Sequence, residues 1–150
     1  MVDRIDAARR SFNMSRVRSV DTRPEMEVRR LLHKLGYRFR LHRRSLPGRP
    51  DLVFPSRRAA IFVHGCFWHR HAGCRKASMP STRAEFWAEK FASNEARDER
   101  VQCALVDEGW RVEVVWECEV RDSDTLARRL ISFLGVPVPA AAVARTGSQL

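Results

Sequence analysis

Residues 51–74 read DLVFPSRRAAIFVHGCFWHRHAGC, and this stretch contains two apolar segments separated by a short turn. Residues 51–54 are typical of a short strand, and the uninterrupted apolar run at residues 59–63 is typical of a strand buried on both faces. Because the turn between them is tight, the two strands are expected to run antiparallel. The second strand ends directly at a segment rich in His, Cys and aromatic residues.

The residues before this stretch predict a helix and a strand. A capping-box pattern at residues 22–25 opens the helix, and Gly36 ends it. Residues 37–41 then alternate apolar and basic side chains, as a half-buried strand does. A loop with two prolines and a glycine, residues 42–50, leads from this strand to Asp51.

The residues after the stretch predict further helices and one more strand. A second capping-box pattern at residues 82–85 opens a helix, residues 93–94 offer a break with a fresh cap, and the next helix runs to Glu108. Residues 111–116 are predicted to form a strand, and residues 122–134 an amphipathic helix. This order of elements predicts an α/β fold with one mixed sheet flanked by helices.

The chain has 150 residues and a formal net charge of +10, which indicate one folded domain and a polyanionic partner such as nucleic acid. We expect a basic arm at residues 1–20, the folded domain at residues 21–135, and a flexible tail at residues 136–150. The chain has no run of about 20 apolar residues and no signal-peptide core at its N-terminus, so we expect a cytoplasmic protein without a membrane partner. Disulfides are rare in that compartment, and clustered Cys and His there indicate metal ligands.

The spacing C-x4-H-x2-C offers three metal ligands, Cys66, His71 and Cys74. Cys118 is the natural fourth ligand, because it follows a predicted strand that is able to lie beside the strand leading to Cys66. Three thiolates and one imidazole suit zinc, and four protein ligands make a structural site. The alternative is buried free cysteines beside a surface histidine. Cys103 is interpreted as a core residue of its helix.

Asp51 lies at the start of the first predicted strand, and the antiparallel pairing places it near the end of the second strand, close to His64. A carboxylate in such a place is able to hold Mg²⁺ and thereby polarise a phosphodiester, and His64 or His69 is able to take a proton from water at neutral pH. The alternative is that Asp51 is a turn residue. Glu25 is either part of this site or only a capping-box partner.

Rigid aromatic side chains beside such a site suit insertion between base pairs. Phe67 and Trp68 are consecutive and therefore unable to face one core on an extended backbone, and Trp87 is a further candidate. The alternative is that these three residues belong to the core.

Five segments resemble, in order, those of the very-short-patch-repair (Vsr) mismatch endonucleases, and the likeness runs from about Ser11 to Leu134. They are residues 46–51, 62–69, 82–90, 94–98 and 109–118. The resemblance implies a restriction-endonuclease-like fold and Mg²⁺-dependent nicking of duplex DNA 5′ of the thymine in a T·G mismatch.

The resemblance also implies roles for individual residues. Asp51 would bind Mg²⁺ through its carboxylate and Val63 through its main-chain carbonyl, while His69 would activate the attacking water. Hydrogen-bonding support would come from His64, Glu25 and Asp98. The DNA wedge would be Phe67, Trp68 and Trp87, and the zinc ligands Cys66, His71, Cys74 and Cys118.

Two features depart from the family pattern. His64 stands where the wider nuclease superfamily carries a lysine on this strand. Arg70 and the spacer Ala72-Gly73 replace part of a loop that is richer in histidine in the family.

The sequence leaves the exact activity open between three hypotheses. The first is a mismatch-nicking enzyme that acts as a monomer on mismatched double-stranded DNA at the nucleoid, with other DNA-repair proteins as possible partners. The second is a related nuclease that cuts other mismatches or lesions with little sequence context. The third is a zinc-stapled DNA-binding module in which Asp51 is only structural.

Overall fold

The computed structural model describes residues 21–137, which form a four-stranded sheet and three α-helices. The predicted basic arm, residues 1–20, lies outside the described residues, as does the predicted tail from residue 138 onward. No helix within residues 21–137 is long and apolar enough to cross a bilayer. The strands are β1 (Arg40–Leu41), β2 (Leu52–Phe54), β3 (Ala59–His64) and β4 (Arg111–Trp116). The helices are α1 (Arg23–Lys34), α2 (Ala84–Asp107) and α3 (Ser123–Leu134).

The sheet is mixed, as the sequence predicts. Its order is β1-β2-β3-β4; β2 pairs antiparallel with both β1 and β3, whereas β3 and β4 run parallel. Parallel neighbours need a long crossover, and α2 lies within the segment that provides it. In this register His64 lies beside Trp116, so the segments that follow β3 and β4 start at the same edge of the sheet.

Apolar side chains pack on both faces of the sheet, which explains why the β3 sequence shows no polar alternation. One face packs with α1 and α3, and its buried members are Val28, Leu32, Tyr37, Leu52, Phe54, Ala59, Ile61, Val115, Leu126, Leu130 and Leu134. The opposite face packs with α2 and the turn after it, through Leu46, Val53, Ala60, Phe62, Leu105 and Trp110. The sheet is thus the middle layer of three.

The prediction of two helices over residues 82–108 was wrong, because α2 is continuous. The residue predicted to cap a second helix, Asn94, is buried and donates from Nδ2 to the carbonyl oxygen of Trp68 at 3.1 Å. The N-cap of α2 is Arg83, one residue after the predicted cap Thr82; Arg83 lies in the left-handed region at φ 56° and makes no side-chain capping bond. Cys103, predicted to be core, is exposed.

Two predicted elements near the N-terminus differ in detail. The strand predicted over residues 37–41 is reduced to Arg40–Leu41, because Tyr37 is buried in the core and its hydroxyl donates to the carbonyl oxygen of Gly135. Thr22 caps α1 as predicted, accepting from the N–H of Glu25 at 3.4 Å. The Glu25 carboxylate accepts instead from the N–H of Asp21 at 3.1 Å, one residue before the position that a capping box uses.

The loop that delivers Asp51 packs closely on α2. Gly48 has φ +71°, and a Cβ added there would lie 2.2 Å from Cγ1 of Val101. Gly48→Ala is therefore expected to lower the free energy of unfolding by about 2–4 kcal/mol, from overpacking and backbone strain together. Urea unfolding measures this change.

The matched control is Gly73→Ala. Gly73 has φ +72°, and an added Cβ would meet nothing within 4 Å, so only backbone strain of about 1 kcal/mol is expected. Equal losses in the two variants would contradict the close packing of Gly48 on Val101.

Candidate functional site

Asp51 lies at the start of β2, against the end of β3. Its Oδ2 accepts a hydrogen bond from the main-chain N–H of Val63 at 2.7 Å. Burial, followed by a hydrogen bond with Glu25, raises the pKa of Asp51 from 3.8 to about 8. The structure therefore brings together three of the residues that the resemblance singles out, Asp51, Val63 and Glu25.

Glu25 is buried at the first turn of α1, where it forms a small charge network. Its Oε2 accepts from the guanidinium of Arg29 and lies 3.0 Å from Nε2 of His42. The same Nε2 of His42 lies 3.8 Å from Oδ1 of Asp51. Glu25 is thus more than a capping residue: its carboxylate faces the cluster around Asp51.

His64, His69 and Asp98 form a second cluster at the end of β3. The two imidazole rings are stacked, with centroids 3.8 Å apart and planes 6° from parallel, and Nδ1 of His69 lies 2.6 Å from Oδ2 of Asp98. A carboxylate at Nδ1 holds the proton there and leaves the lone pair on Nε2. Burial, then the neighbouring charge of His69, lowers the pKa of His64 from 6.5 to about 4, so His64 is neutral at pH 7.

The four predicted zinc ligands converge on one point. The donor atoms of Cys66, His71, Cys74 and Cys118 all lie within 4.8 Å of one another. Nδ1 of His71 is 3.6 Å from Sγ of Cys66 and 3.4 Å from Sγ of Cys118. Three thiols and one imidazole at this spacing fit a tetrahedral zinc ion.

The surroundings of this cluster hold its ligands in place. Burial raises the pKa of the Cys66 thiol to about 12, so a cation is needed to keep it as a thiolate. The N–H of Cys66 donates to Oε1 of Glu117 at 3.1 Å, and the Trp116 ring stacks on His71 with centroids 4.3 Å apart. Trp116 also lies edge-on to His64, with centroids 5.3 Å apart. One indole thus contacts both the zinc-type cluster and the histidine pair.

The predicted wedge residues contact one another. The Phe67 ring lies 5.1 Å from Trp68, 5.6 Å from Trp87 and 5.2 Å from the buried Phe91. The prediction that Phe67 and Trp68 are unable to face one core holds for an extended backbone, but residues 66–70 form a turn, and the turn lets the two rings contact each other. Phe67, Trp68 and Trp87 are half-buried, so they are neither fully core nor free of support.

Comparison with known proteins decides the family. The family model for the DNA mismatch endonuclease Vsr matches residues 2–76. The chain is 56% identical over 134 residues to the type II nicking enzyme V.XorIIP of Xanthomonas oryzae pv. oryzae, a match that covers 89% of this chain and 98% of that protein. It is 46% identical over 126 residues to the DNA mismatch endonuclease Vsr of Escherichia coli, covering 84% of this chain and 80% of that protein.

The chain belongs to the Vsr family. A further relative, the type II nicking enzyme V.NmeAIP of Neisseria meningitidis, is 37% identical over 130 residues, a match that covers 87% of this chain and 92% of that protein. The Vsr resemblance drawn from the motifs is therefore confirmed, and with it the restriction-endonuclease-like α/β fold. As a member of the family, this protein is a DNA mismatch endonuclease, a hydrolase that acts on DNA.

Three residues at the Vsr site were missed by reasoning from the sequence. Arg29 and His42 contact Glu25, but Arg29 stands out in no motif and His42 is predicted only as the first residue of the loop at residues 42–50. Asn94 donates a hydrogen bond to the main-chain carbonyl of Trp68, whereas the sequence predicts a helix cap at this position. The signal that pointed to Asn94 was its place inside a Vsr-like motif, whereas loop paths decide the other two contacts.

Proposed function

We propose that this enzyme makes a Mg²⁺-dependent nick in duplex DNA on the 5′ side of the thymine in a T·G mismatch and thereby initiates short-patch repair. The observation that carries the proposal is the arrangement of side chains at the end of β3. His69 is hydrogen-bonded to Asp98 and stacks on His64. The residue before His64, Val63, donates its main-chain N–H to Asp51. A carboxylate able to hold a metal and a histidine able to take a proton therefore contact consecutive residues, Val63 and His64, at the end of β3.

The Mg²⁺ ligands in this proposal are the Asp51 carboxylate and the main-chain carbonyl of Val63. The fit is supported by two neighbouring carboxyl groups, the half-buried Asp51 and the buried Glu25, because the charge of Glu25 raises the pKa of Asp51. A hard divalent cation with oxygen ligands offsets that repulsion. When bound, Mg²⁺ polarises the scissile phosphate and lowers the pKa of bound water.

His69 is the general base in this proposal. With Nδ1 hydrogen-bonded to Asp98, its Nε2 accepts the proton of the water that attacks phosphorus, and Asp98 stabilises the imidazolium that results. His64 remains neutral and stacks on His69, which fixes the ring without adding a second positive charge. Glu25 orients Asp51 and its surroundings by hydrogen bonds.

The cluster Cys66, His71, Cys74 and Cys118 is proposed to hold a structural zinc ion. Its four protein donors leave no open position for substrate, which favours a structural role over a catalytic one. The ion would clamp the turn that carries Phe67 and Trp68 to the end of β4. Together with Trp87 these residues form the aromatic wedge, which inserts into the base stack at the mismatch.

We further propose that residues 21–135 carry the activity and that the basic segment at residues 1–20 adds affinity for phosphates. A single nick in an asymmetric lesion needs one active centre, so the enzyme is expected to work as a monomer. A DNA substrate would bring it to the nucleoid.

Cleavage of a panel of duplexes tests the proposal. Each duplex carries one labelled strand and one of all possible mismatches in varied flanking sequence, and each is incubated with Mg²⁺ or with EDTA. We expect a single nick 5′ of the mismatched thymine, with Mg²⁺ only, and cleavage of matched duplex slower by about 100-fold or more.

Other results would overturn parts of the proposal. Similar rates on many mismatches would support the broader nuclease and reject T·G specificity. Tight binding of mismatched duplex without any nick would support the zinc-stapled binding module. Nicking in EDTA would exclude the role given to Mg²⁺.

A further inference from the structure

Arg70 occupies an unusual place, between His69 and the metal-type ligand His71, where its own backbone is in the left-handed region at φ 56°. A non-glycine residue in this region costs about 1 kcal/mol or more unless its surroundings compensate. An arginine is unable to serve as a base or a zinc ligand in this loop. Its side chain therefore needs another explanation.

The guanidinium of Arg70 bonds to main-chain carbonyls from two separate segments. Nη1 donates to Phe67 at 3.2 Å and to Ser78 at 3.3 Å, and Nη2 donates to Ala77 at 2.6 Å. The planar fork of arginine suits such simultaneous bonds, whereas a lysine ammonium carries fewer donors on a more flexible stem. Arg70 thus ties the turn of residues 66–70 to the loop that precedes α2.

The same guanidinium also lies against two aromatic rings. Its central carbon is 4.0 Å from the centroid of Phe91, which α2 buries, and 5.7 Å from the centroid of Phe67. Phe67 contacts both Trp68 and Trp87 edge-on, and these two indoles contact each other at a tilt. The guanidinium therefore lies between the Phe67 turn and α2, the helix that carries both Phe91 and Trp87.

We propose that Arg70 is a positioning residue that braces the aromatic wedge (Phe67, Trp68 and Trp87) against the recoil of the base stack. This inference rests on the proposed insertion of the wedge. Unstacking a base step costs a few kcal/mol, and the strained duplex pushes back on whatever holds it open. A wedge on an unbraced turn yields to that force, whereas one tied to two segments and a buried ring does not.

The brace differs from a phosphate contact. The donors that Arg70 directs to three carbonyls are committed within the protein, so its main contribution is to shape rather than to binding charge. Removing it should therefore lower the extent of unstacking and kcat, while leaving the affinity for DNA nearly unchanged.

The experiment uses the full-length, zinc-loaded protein with a T·G duplex that carries 2-aminopurine beside the mismatch. The fluorescence of 2-aminopurine rises when the base is unstacked. Arg70→Met is expected to reduce the rise by about half or more and kcat by about ten-fold, with KM within about two-fold of wild type. Arg70→Lys keeps the positive charge but not the planar fork of donors, so its fluorescence rise and kcat should lie between those of wild type and Arg70→Met.

Arg75→Met is the matched control. Arg75 is an exposed arginine of the same loop, and within residues 21–137 it makes no hydrogen bond or ion pair. Arg75→Met removes the same unit of charge as Arg70→Met. It should therefore weaken binding to matched and mismatched duplexes equally and leave the fluorescence rise at the wild-type level.

The outcomes separate the inference from the proposed function. Zinc content and melting temperature show whether Arg70→Met is folded; if it is not, Arg70→Lys decides. A wild-type fluorescence rise in the folded variant, or an equal loss in Arg75→Met, overturns the brace. A wild-type protein that opens the stack but nicks no mismatch contradicts the proposed function alone, because the fluorescence assay needs no cleavage.

Discussion

Asp51→Asn is expected to abolish nicking, by about 10³-fold or more, without destabilising the fold. Asparagine keeps the shape of the side chain, and its amide oxygen still accepts the hydrogen bond that Val63 donates. What it loses is the negative charge that would hold Mg²⁺. The strand-specific nicking assay measures the activity, and urea unfolding measures the stability.

The pH dependence of stability gives this prediction a second readout. The pKa of Asp51 is raised from 3.8 to about 8 in the native state, chiefly by burial. Between these values the native carboxyl holds a proton that the unfolded chain has released, so the free energy of unfolding falls as pH rises. The amide of the Asp51→Asn variant does not titrate. In EDTA the free energy of unfolding of the variant, relative to that of wild type, should therefore increase between about pH 4 and about pH 8, by on the order of a few kcal/mol.

Asp107→Asn is the control, because Asp107 is an exposed acid at the last residue of α2 and belongs to neither cluster. It should nick at the wild-type rate and show the wild-type dependence of stability on pH. If Asp51→Asn kept the wild-type nicking rate, the carboxylate would have no role at the metal site. If it melted well below wild type at every pH, Asp51 would be structural.

The strand pairing, the convergence of Cys118 on the Cys66 loop and the approach of Asp51 to Val63 could be predicted, because each depends on local sequence and simple topology. The apolar strand β3 pairs in parallel with β4, residues 111–116. The segments that follow the two strands therefore lie close together, and this brings Cys118 to Cys66. A tight turn between β2 and β3 likewise brings Asp51 to Val63. These features follow from register, and register follows from the hydrophobic pattern.

The parts that could not be predicted depend on tertiary contacts. Asn94 has the preferences of a helix cap, but its side chain bonds to Trp68, and the helix passes through it unbroken. His42 approaches Glu25 because of a loop path that no periodicity describes. An extended backbone would direct Phe67 and Trp68 to opposite sides, whereas the turn of residues 66–70 lets the two rings contact each other.

Cys118→Ala is expected to lose the bound zinc, to lower the melting temperature by about 5 °C or more, and to lower nicking by about 100-fold. Cys118 is the one proposed ligand outside residues 66–74, and it lies two residues after β4. Without it the ion would no longer connect the wedge turn to the sheet. Elemental analysis measures the zinc content per chain, calorimetry measures the melting temperature, and the nicking assay measures the activity.

Cys103→Ala is the matched control, since Cys103 is an exposed free cysteine on α2. It should retain about one zinc per chain and wild-type activity and stability. A Cys118→Ala protein with a full complement of zinc would remove Cys118 from the ligand set.

The order of losses on zinc removal then separates a structural ion from a catalytic one. A structural ion supports the wedge turn, so chelation should diminish the 2-aminopurine signal together with nicking. A catalytic ion would leave base unstacking intact while cleavage stopped. Excess Mg²⁺ should not restore cleavage to zinc-free protein, because Mg²⁺ prefers oxygen ligands to the three thiolates of this cluster. Restoration by Mg²⁺ alone would show that the aromatic wedge keeps its shape without zinc.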